Sequence, residues 1–461
     1  MTMASRVAAE AADRVSDFLS ALPEVVQADV RVTGYRWGTM RFANGRIHQP
    51  HLEEGVLVSL RVCENQRIAT ATVDGLSKDS LEQVFREARS LASVAPIERK
   101  FPGFPPDGSR ASPAVEYSER TASLGPDEQV QLAEKALEGA RDVRPESRIA
   151  GAVNVGSEWL AVANTKGLAR TTRRTIAQTS VLVEDVTADP PVSGWSEGAD
   201  WDARRLNTER VGREAGQRVA RSTPESAEPG NYRVLLDGPA VSELIGQLGY
   251  LGFGGHAEEE GWSCLKRKRG KRIAPEAVTL VDDGRSPQSL PQGVDLEGTP
   301  KRRTLLVDHG IADGPVTDLV TAGRLDRKRT GHALSPESPI GDWGPIPTQM
   351  LLRSGDARFE ELVKETRRGI LVTRFHYVRV VHPGKSIITG MTRDGTYRIA
   401  NGELAAPVRN LRFTESVLRA LAGAQLLGRE ARCYSDERGF VSVTCPPLLT
   451  NAFRFTSATL F

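Results

Sequence analysis

The segment Ser222-Thr-Pro-Glu-Ser-Ala-Glu-Pro-Gly230 restricts this chain more than any other stretch. Proline lacks the N–H that a helix interior or a central strand needs, and the small and acidic residues around it favour turns. No helix or strand is expected to run through it. The chain should divide there, into residues 1–225 and 226–461, with a central portion of the first part beginning near residue 120.

Periodicity differs on the two sides. Before the segment, Val7, Ala8, Ala11, Val15, Phe18 and Leu19 form one stripe of a helix over 4–20. Ser77 is placed to cap a helix over 78–93, whose apolar face is Leu81, Val84, Phe85, Ala88, Leu91 and Ala92. Asp127 opens another, with Val130, Ala133, Leu137 and Ala140 inward, and a further helix spans 203–221. Between them lie strand-like runs at 28–33, 37–43, 55–62, 67–73, 148–154, 158–164 and 168–184. Asn44-Gly45 between the second and third runs fits a type I′ turn, which needs positive φ at both central residues. Residues 101–126 hold Pro102, Pro105, Pro106, Pro113 and Pro126 and read as an irregular connection.

After the segment, a helix over 239–250 is followed by short strands at 278–282, 303–307, 370–379, 386–391 and 396–400. Asp394-Gly395 and Asn401-Gly402 are both hairpin signals, and a helix over 414–426 precedes a β-like tail. The implied class is α+β: an α/β N-terminal part with a mixed sheet and flanking helices, then a mostly antiparallel β part.

Composition closes off several classes. The 461 residues carry 61 Lys and Arg against 59 Asp and Glu, a net charge of +2 that argues for no polyanion partner. No apolar run approaches the ~20 residues of a membrane helix. The first nineteen residues carry Glu10, Asp13 and Asp17 and lack the apolar core of a signal peptide. Four cysteines without a Cys-x-x-Cys pair make no disulfide framework. A cytoplasmic protein without a membrane contact is the expectation.

The motifs that usually announce catalysis are missing: no His-Glu-x-x-His, no phosphate-binding P-loop, no Gly-x-Ser-x-Gly and no Gly-x-Gly-x-x-Gly after a strand. What remains is a set of candidates. His256 is followed closely by Glu258, Glu259 and Glu260, the residue types of a metal-activated water site, although no shared helical face results from the spacing. His332 lies in the small-residue loop Thr330-Gly331-His332-Ala333. Cys433 and Cys445 read as buried thiols. The basic run Lys266 to Arg272 has no interleaved aromatic residue, so it reads as an exposed loop, and nucleic acid is not an expected partner.

Longer stretches carry a resemblance. RFANGRIHQ (41–49) and GVLVSLRVCENQRIATATVDGLSKDSLEQVFREARSLA (55–92) resemble the N-terminal domain of the TldD/PmbA peptidase family. VTLVDDG (278–284), DLEGTPKRRTLLVDHGI (295–311), TGHA (330–333), GILVTRF (369–375) and the run from Ile388 to Leu421 resemble its C-terminal domain, in order. The TldD branch is a zinc peptidase with His-Glu-x-x-x-His and a cysteine near the C-terminus. The PmbA branch, also called TldE, lacks the motif and partners the first. In this chain the stretch from Leu244 to Trp262 holds one histidine and no His-Glu pair, and Cys433 matches the family cysteine approximately. The resemblance therefore implies a TldE-like, non-catalytic subunit with no cofactor of its own. It would form a heterodimer with a TldD-like catalytic subunit that carries the zinc, and would hold unfolded or precursor peptides in extended form. The alternative is a metallopeptidase with a rebuilt site drawn from His256, one of Glu258 to Glu260 (Glu259 and Glu260 foremost), His332 and Cys433.

Overall fold

The computed structural model describes residues 3–24, 26–105, 113–334, 340–436 and 438–459. Its first half runs α1 (Met3–Ser20), β1 (Gln27–Ala43), β2 (Arg46–Glu64), β3 (Arg67–Asp74), α2 (Lys78–Val94), α3 (Glu119–Ser123), α4 (Pro126–Val143), β4 (Arg148–Asn164), β5 (Ala169–Asp185), β6 (Val192–Asp200) and α5 (Thr208–Gln217). The six strands form one sheet in the order β3-β2-β1-β4-β5-β6. Every neighbouring pair is antiparallel, so the expected mixed sheet is corrected within an α+β class that holds. Two-residue turns return the chain antiparallel from β1 to β2 and from β2 to β3. Asn44 and Gly45 have φ of 50° and 69°, as the type I′ turn requires. Of the expected irregular connection, residues 106–112 lie outside the described residues.

The strands are longer than their sequence suggests. Runs 28–33 and 37–43 are one strand, as are 148–154 and 158–164. The apparent breaks fall at glycines that make room for a neighbour's indole. A Cβ on Gly34 would sit 2.1 Å from the Trp159 ring, and one on Gly156 would sit 2.2 Å from the Trp37 ring. Each glycine is the register partner of that tryptophan across the β1–β4 ladder.

Alternation then gives the sheet two faces. Ala28, Val30 and Val32 pack on α1 and α2, while Met40 and Phe42 pack on α4 and α5. All are even-numbered residues of β1, so four helices cover one face end to end. The expected helix over 203–221 shortens to α5, because Asn207 caps it by accepting the Arg210 N–H at 2.9 Å. The α4–α5 crossing is tight: a Cβ on Gly212 would lie 1.9 Å from the Ala136 carbonyl oxygen.

The second half runs β7 (Gly230–Leu236), α6 (Gly238–Phe253), α7 (Gly255–Glu260), β8 (Leu280–Asp282), β9 (Thr304–Asp308), β10 (Ile311–Ala312), α8 (Leu319–Leu325), β11 (Gln349–Leu352), α9 (Phe359–Thr366), β12 (Gly369–His382), β13 (Ile387–Ala400), β14 (Glu403–Pro407), β15 (Leu411–Ser416), α10 (Val417–Ala422), β16 (Ala424–Leu427), β17 (Arg432–Ser435), β18 (Ser442–Cys445) and β19 (Leu448–Ala458). One sheet has the order β10-β9-β8-β11-β18-β17. In the other, β12, β7, β19, β15 and β13 pair in turn, and β13 pairs back to β12, closing a ring. Among the described strand pairs of this half, β7–β12 and β11–β18 are parallel and the others antiparallel. Phe375, Phe413, Phe453 and Phe455 pack with Val241, Leu244, Ile245 and Leu248 of α6 in the largest apolar core. No described helix is long and apolar enough to cross a membrane.

Two expectations fail here. Asp394-Gly395 is not a hairpin: it is a bulge inside β13, with φ of 56° and 126°. The buried Asp394 carboxylate accepts from Arg374 Nε at 2.7 Å and from Ser193 Oγ at 2.5 Å, which holds the strand on course. The helix over 414–426 contracts to α10, flanked by β15 and β16. Asn401-Gly402 does turn between β13 and β14.

A buried ion chain joins the sheet's uncovered face to the second half. Arg61 donates to both oxygens of Asp29, at 3.1 and 2.6 Å, and to Glu297 Oε1 at 2.8 Å. Glu297 Oε2 accepts the Leu319 N–H at 2.8 Å. Burial works against the Arg61 charge, and the two carboxylates more than offset it, so its pKa is raised. Arg61→Met would strand two buried carboxylates. It is expected to cost about 3–5 kcal/mol in urea unfolding, and a loss below about 1 kcal/mol would contradict the clamp.

Candidate functional site in the groove between the halves

The odd-numbered side chains of β1 face away from the helices, toward the second half. Thr33, Tyr35 and Trp37 line a first chamber of about 400 Å³, and Trp37, Thr39 and Arg41 line a second of about 470 Å³. From β5, Thr172 and Arg174 belong to the first chamber, and Gln178 and Ser180 to the second. The tip between β17 and β18 stands between them, since Arg438 lines both. That tip is fastened to the sheet. Arg174 Nη1 donates to the Gly439 carbonyl at 2.8 Å, Gln178 Nε2 to Ser435 Oγ at 2.9 Å, and Arg438 pairs with Glu53 at 2.8 Å.

The floor of the first chamber is a buried polar cluster. His332 Nε2 lies 2.9 Å from Asp282 Oδ1, and its Nδ1 lies 2.9 Å from Thr330 Oγ1. Asp282 Oδ2 accepts the Thr348 and Gln349 N–H groups, each at 2.7 Å. Lys301 Nζ donates to Thr348 Oγ1 and Gln349 Oε1, each at 2.6 Å. Burial alone would raise the Asp282 pKa, but the Lys301 charge and then His332 hold it well below the usual carboxylate range. Burial pulls Lys301 down, against the pull of Asp282 and Asp295. The carboxylate and ammonium thus support each other in a dry site.

The five sequence candidates do not converge. His332 is in the chamber floor, fully engaged as described. His256 sits on α7, with Nδ1 4.0 Å from Glu259 Oε2. Glu259 is in turn held by Arg324 at 2.9 Å, and neighbouring Glu258 by Arg269 at 2.9 Å. Glu260 is exposed at the end of α7. Cys433 lies in β17 opposite Thr444, against Trp37, Ile176, Ala199 and Leu290. Burial pushes its thiol up to about 12. Among the described residues, no three His, Cys, Asp or Glu side chains are arranged to hold a metal ion. The basic run is partly absorbed into the fold, with Arg269 donating to the Gly252 and Asp313 carbonyls at 2.7 and 2.6 Å.

Sequence reasoning missed a position on α6. Read in register with His-Glu-x-x-x-His, the helix offers Ser242-Glu243-Leu244-Ile245-Gly246-Gln247. Placed on the pattern by its glutamate, the segment has Glu243 at the carboxylate position and Ser242 and Gln247 at the histidine positions. Gln247 Nε2 donates to Glu243 Oε1 at 3.0 Å, as an i,i+4 pair on one helix face. Burial raises the Glu243 pKa, and it raises that of Glu197, a β6 residue of the second chamber, where the Glu243 charge adds to the effect. A hydroxyl, an amide and one carboxylate do not make the nitrogen and sulfur donor set of a zinc site. The signal lies four residues inside the expected helix and carries no histidine, which is what hides it in the sequence.

Asp282 supplies a pH test. Its folded pKa lies below the unfolded value of about 3.9, so its stabilisation is complete above that value and is lost as pH falls toward the folded one. Asp282→Asn is expected to cost about 3–5 kcal/mol at neutral pH. In urea titrations the gap to the native chain should narrow below about pH 4. A gap independent of pH would refute the ionised cluster.

Three family models match the chain: PmbA/TldA metallopeptidase domain 1 over residues 28–92, the central domain over 119–223 and the C-terminal domain over 229–457. A metalloprotease of Methanothermobacter thermautotrophicus is 30% identical over 234 residues, which is 50% of this chain and 50% of the relative. A metalloprotease TldD homolog of Haemophilus influenzae is 24% identical over 78% of this chain and 76% of its own length. The chain spans about half the length, or less, of the first curated relatives it matches. The crystal structure of TldE from Thermococcus kodakarensis superposes with a TM-score of 0.85 at 19% identity, covering 98% of this chain and 100% of that one, and so shares the fold. With all three models in order along 28–457, the chain belongs to the PmbA/TldD metallopeptidase family.

Proposed function

We propose that this chain is a TldE-like, non-catalytic subunit that works in the cytoplasm with a TldD-like zinc peptidase and holds unfolded or precursor peptides for it. The observation that carries this reading is the α6 sequence Ser242-Glu243-x-x-x-Gln247, in which the carboxylate is kept and hydrogen-bonded to an amide where the catalytic motif has an imidazole. A glutamate held by Gln247 has no metal-bound water to deprotonate.

The groove supports the peptide part of the proposal. The outer side of β2 pairs with β3 only from Leu57 to Glu64, so its stretch Arg46–Gly55 is a sheet edge. Gln49, His51 and Glu53 of that stretch line the second chamber. An extended peptide can add to such an edge through its backbone and place alternate side chains in the chamber. Pro50 removes one donor from the edge and so limits promiscuous pairing.

Co-expression with a TldD-like chain tests the proposal. The purified pair is expected to cleave an unfolded peptide, and Glu243→Gln in this chain should leave the rate within about twofold. The chain alone, supplied with zinc, should not cleave. Cleavage by the chain alone, falling about 100-fold or more in Glu243→Gln, would overturn the reading in favour of its own catalysis.

A further inference from the structure

Six of the seven residues from Lys266 to Arg272 are basic, and neither chamber of the groove is lined by any of them. The backbone beneath them is fixed. Cys264 and Leu265 are buried in the largest core, and tight turns carry the chain outward from there. The Lys268 N–H meets the Leu265 carbonyl at 2.8 Å, and the Lys271 N–H meets the Lys268 carbonyl at 3.0 Å. Two more bonds fasten the run to β10. Gly270 donates to the Ala312 carbonyl at 2.8 Å, and Ala312 donates back to the Lys271 carbonyl at 3.0 Å. Arg269 and Arg272 belong to this scaffold, since both donate to backbone carbonyls, Arg269 to Gly252 and Asp313 and Arg272 to His309.

Lys266, Arg267, Lys268 and Lys271 do not. All four are exposed, and none has an ion pair or a side-chain hydrogen bond among the described residues. A fifth cation arrives from a distant part of the sequence. Arg327 follows α8, and a Cβ on Gly314 would lie 2.7 Å from its Nη1, at the turn where Arg269 holds the Asp313 carbonyl. Burial lowers the Arg269 pKa, against the pull of Glu258, and the nearby Arg327 charge lowers it further. The run itself contains no carboxylate. Of the exposed carboxylates on the adjoining segments, Glu260, Asp313 and Asp326, none is ion-paired to these cations among the described residues. Like charges crowded on so short a stretch repel one another, and an anionic guest relieves that repulsion.

We propose that this patch docks an acidic polypeptide segment, whose Asp and Glu side chains meet Lys266, Arg267, Lys268, Lys271 and Arg327. The make-up of the patch separates this guest from other polyanions. No aromatic side chain lies within 266–272 to stack on a base, so a single nucleic-acid strand finds no platform. No apolar side chain lies there to enter a lipid surface. The net charge of +2 supplies no long-range field for a duplex. Lysine ammonium groups on flexible stems suit carboxylates that are carried on flexible stems of their own. The patch stands whether or not the chain pairs with a peptidase.

Fluorescence anisotropy on the intact chain tests this with three labelled probes: octaglutamate, octaserine and a single strand of eight thymidines. Octaglutamate should bind about tenfold or more tighter than octaserine and about threefold or more tighter than the thymidine strand. Its affinity should fall about tenfold or more between about 30 and about 300 mM salt, because exposed pairs are screened. Joint Lys266→Ala, Arg267→Ala, Lys268→Ala and Lys271→Ala should weaken it about tenfold or more. A second variant removes the same charge at exposed positions elsewhere, by Lys135→Ala, Lys166→Ala, Lys364→Ala and Arg412→Ala, and should keep binding within about twofold. No octaglutamate binding up to about 1 mM, equal losses in the two variants, or a thymidine strand that binds as tightly as octaglutamate overturns the proposal.

Discussion

A long antiparallel sheet has two faces, and this chain can solvate neither. Once α1, α2, α4 and α5 cover the even-numbered side of β1, the odd-numbered side must meet the second half. That meeting is polar as well as apolar, because Asp29 and Arg61 project into it and need a buried partner, which Glu297 supplies. Charge burial therefore fixes how the halves meet, and shape decides the rest. The long strands carry the groove past the ion chain to the tip of β17 and β18.

Local signals were legible in the sequence. Ser77 caps α2 as expected, accepting the Ser80 N–H, and the turns at Asn44-Gly45 and Asn401-Gly402 occur where the residues demand positive φ. Signals that depend on a distant partner were not. Gly34 and Gly156 look like strand breaks until Trp159 and Trp37 are placed opposite them. Asp394-Gly395 looks like a turn until Arg374 and Ser193 are found around the carboxylate. His332 was visible as a candidate, yet Asp282, Lys301 and Thr348, which define its surroundings, come from separate segments with no common motif.

The family's catalytic pattern also clarifies what a helix keeps when its chemistry changes. On α6, Leu244, Ile245 and Leu248 still pack into the largest core, so the helix cannot shift. Only the positions pointing away from that core are free to vary, and they are the ones that bear Ser242, Glu243 and Gln247. Side chains at those positions can therefore differ while the helix keeps its core contacts.

The fastened tip that carries Ser435, Arg438 and Gly439 partitions the groove. Because Arg174 and Gln178 tie it to β5 from below and Glu53 ties Arg438 to β2, it acts as a bulkhead between two compartments. The groove is thereby divided into two short compartments that share Trp37 and Arg438, rather than running as one trough.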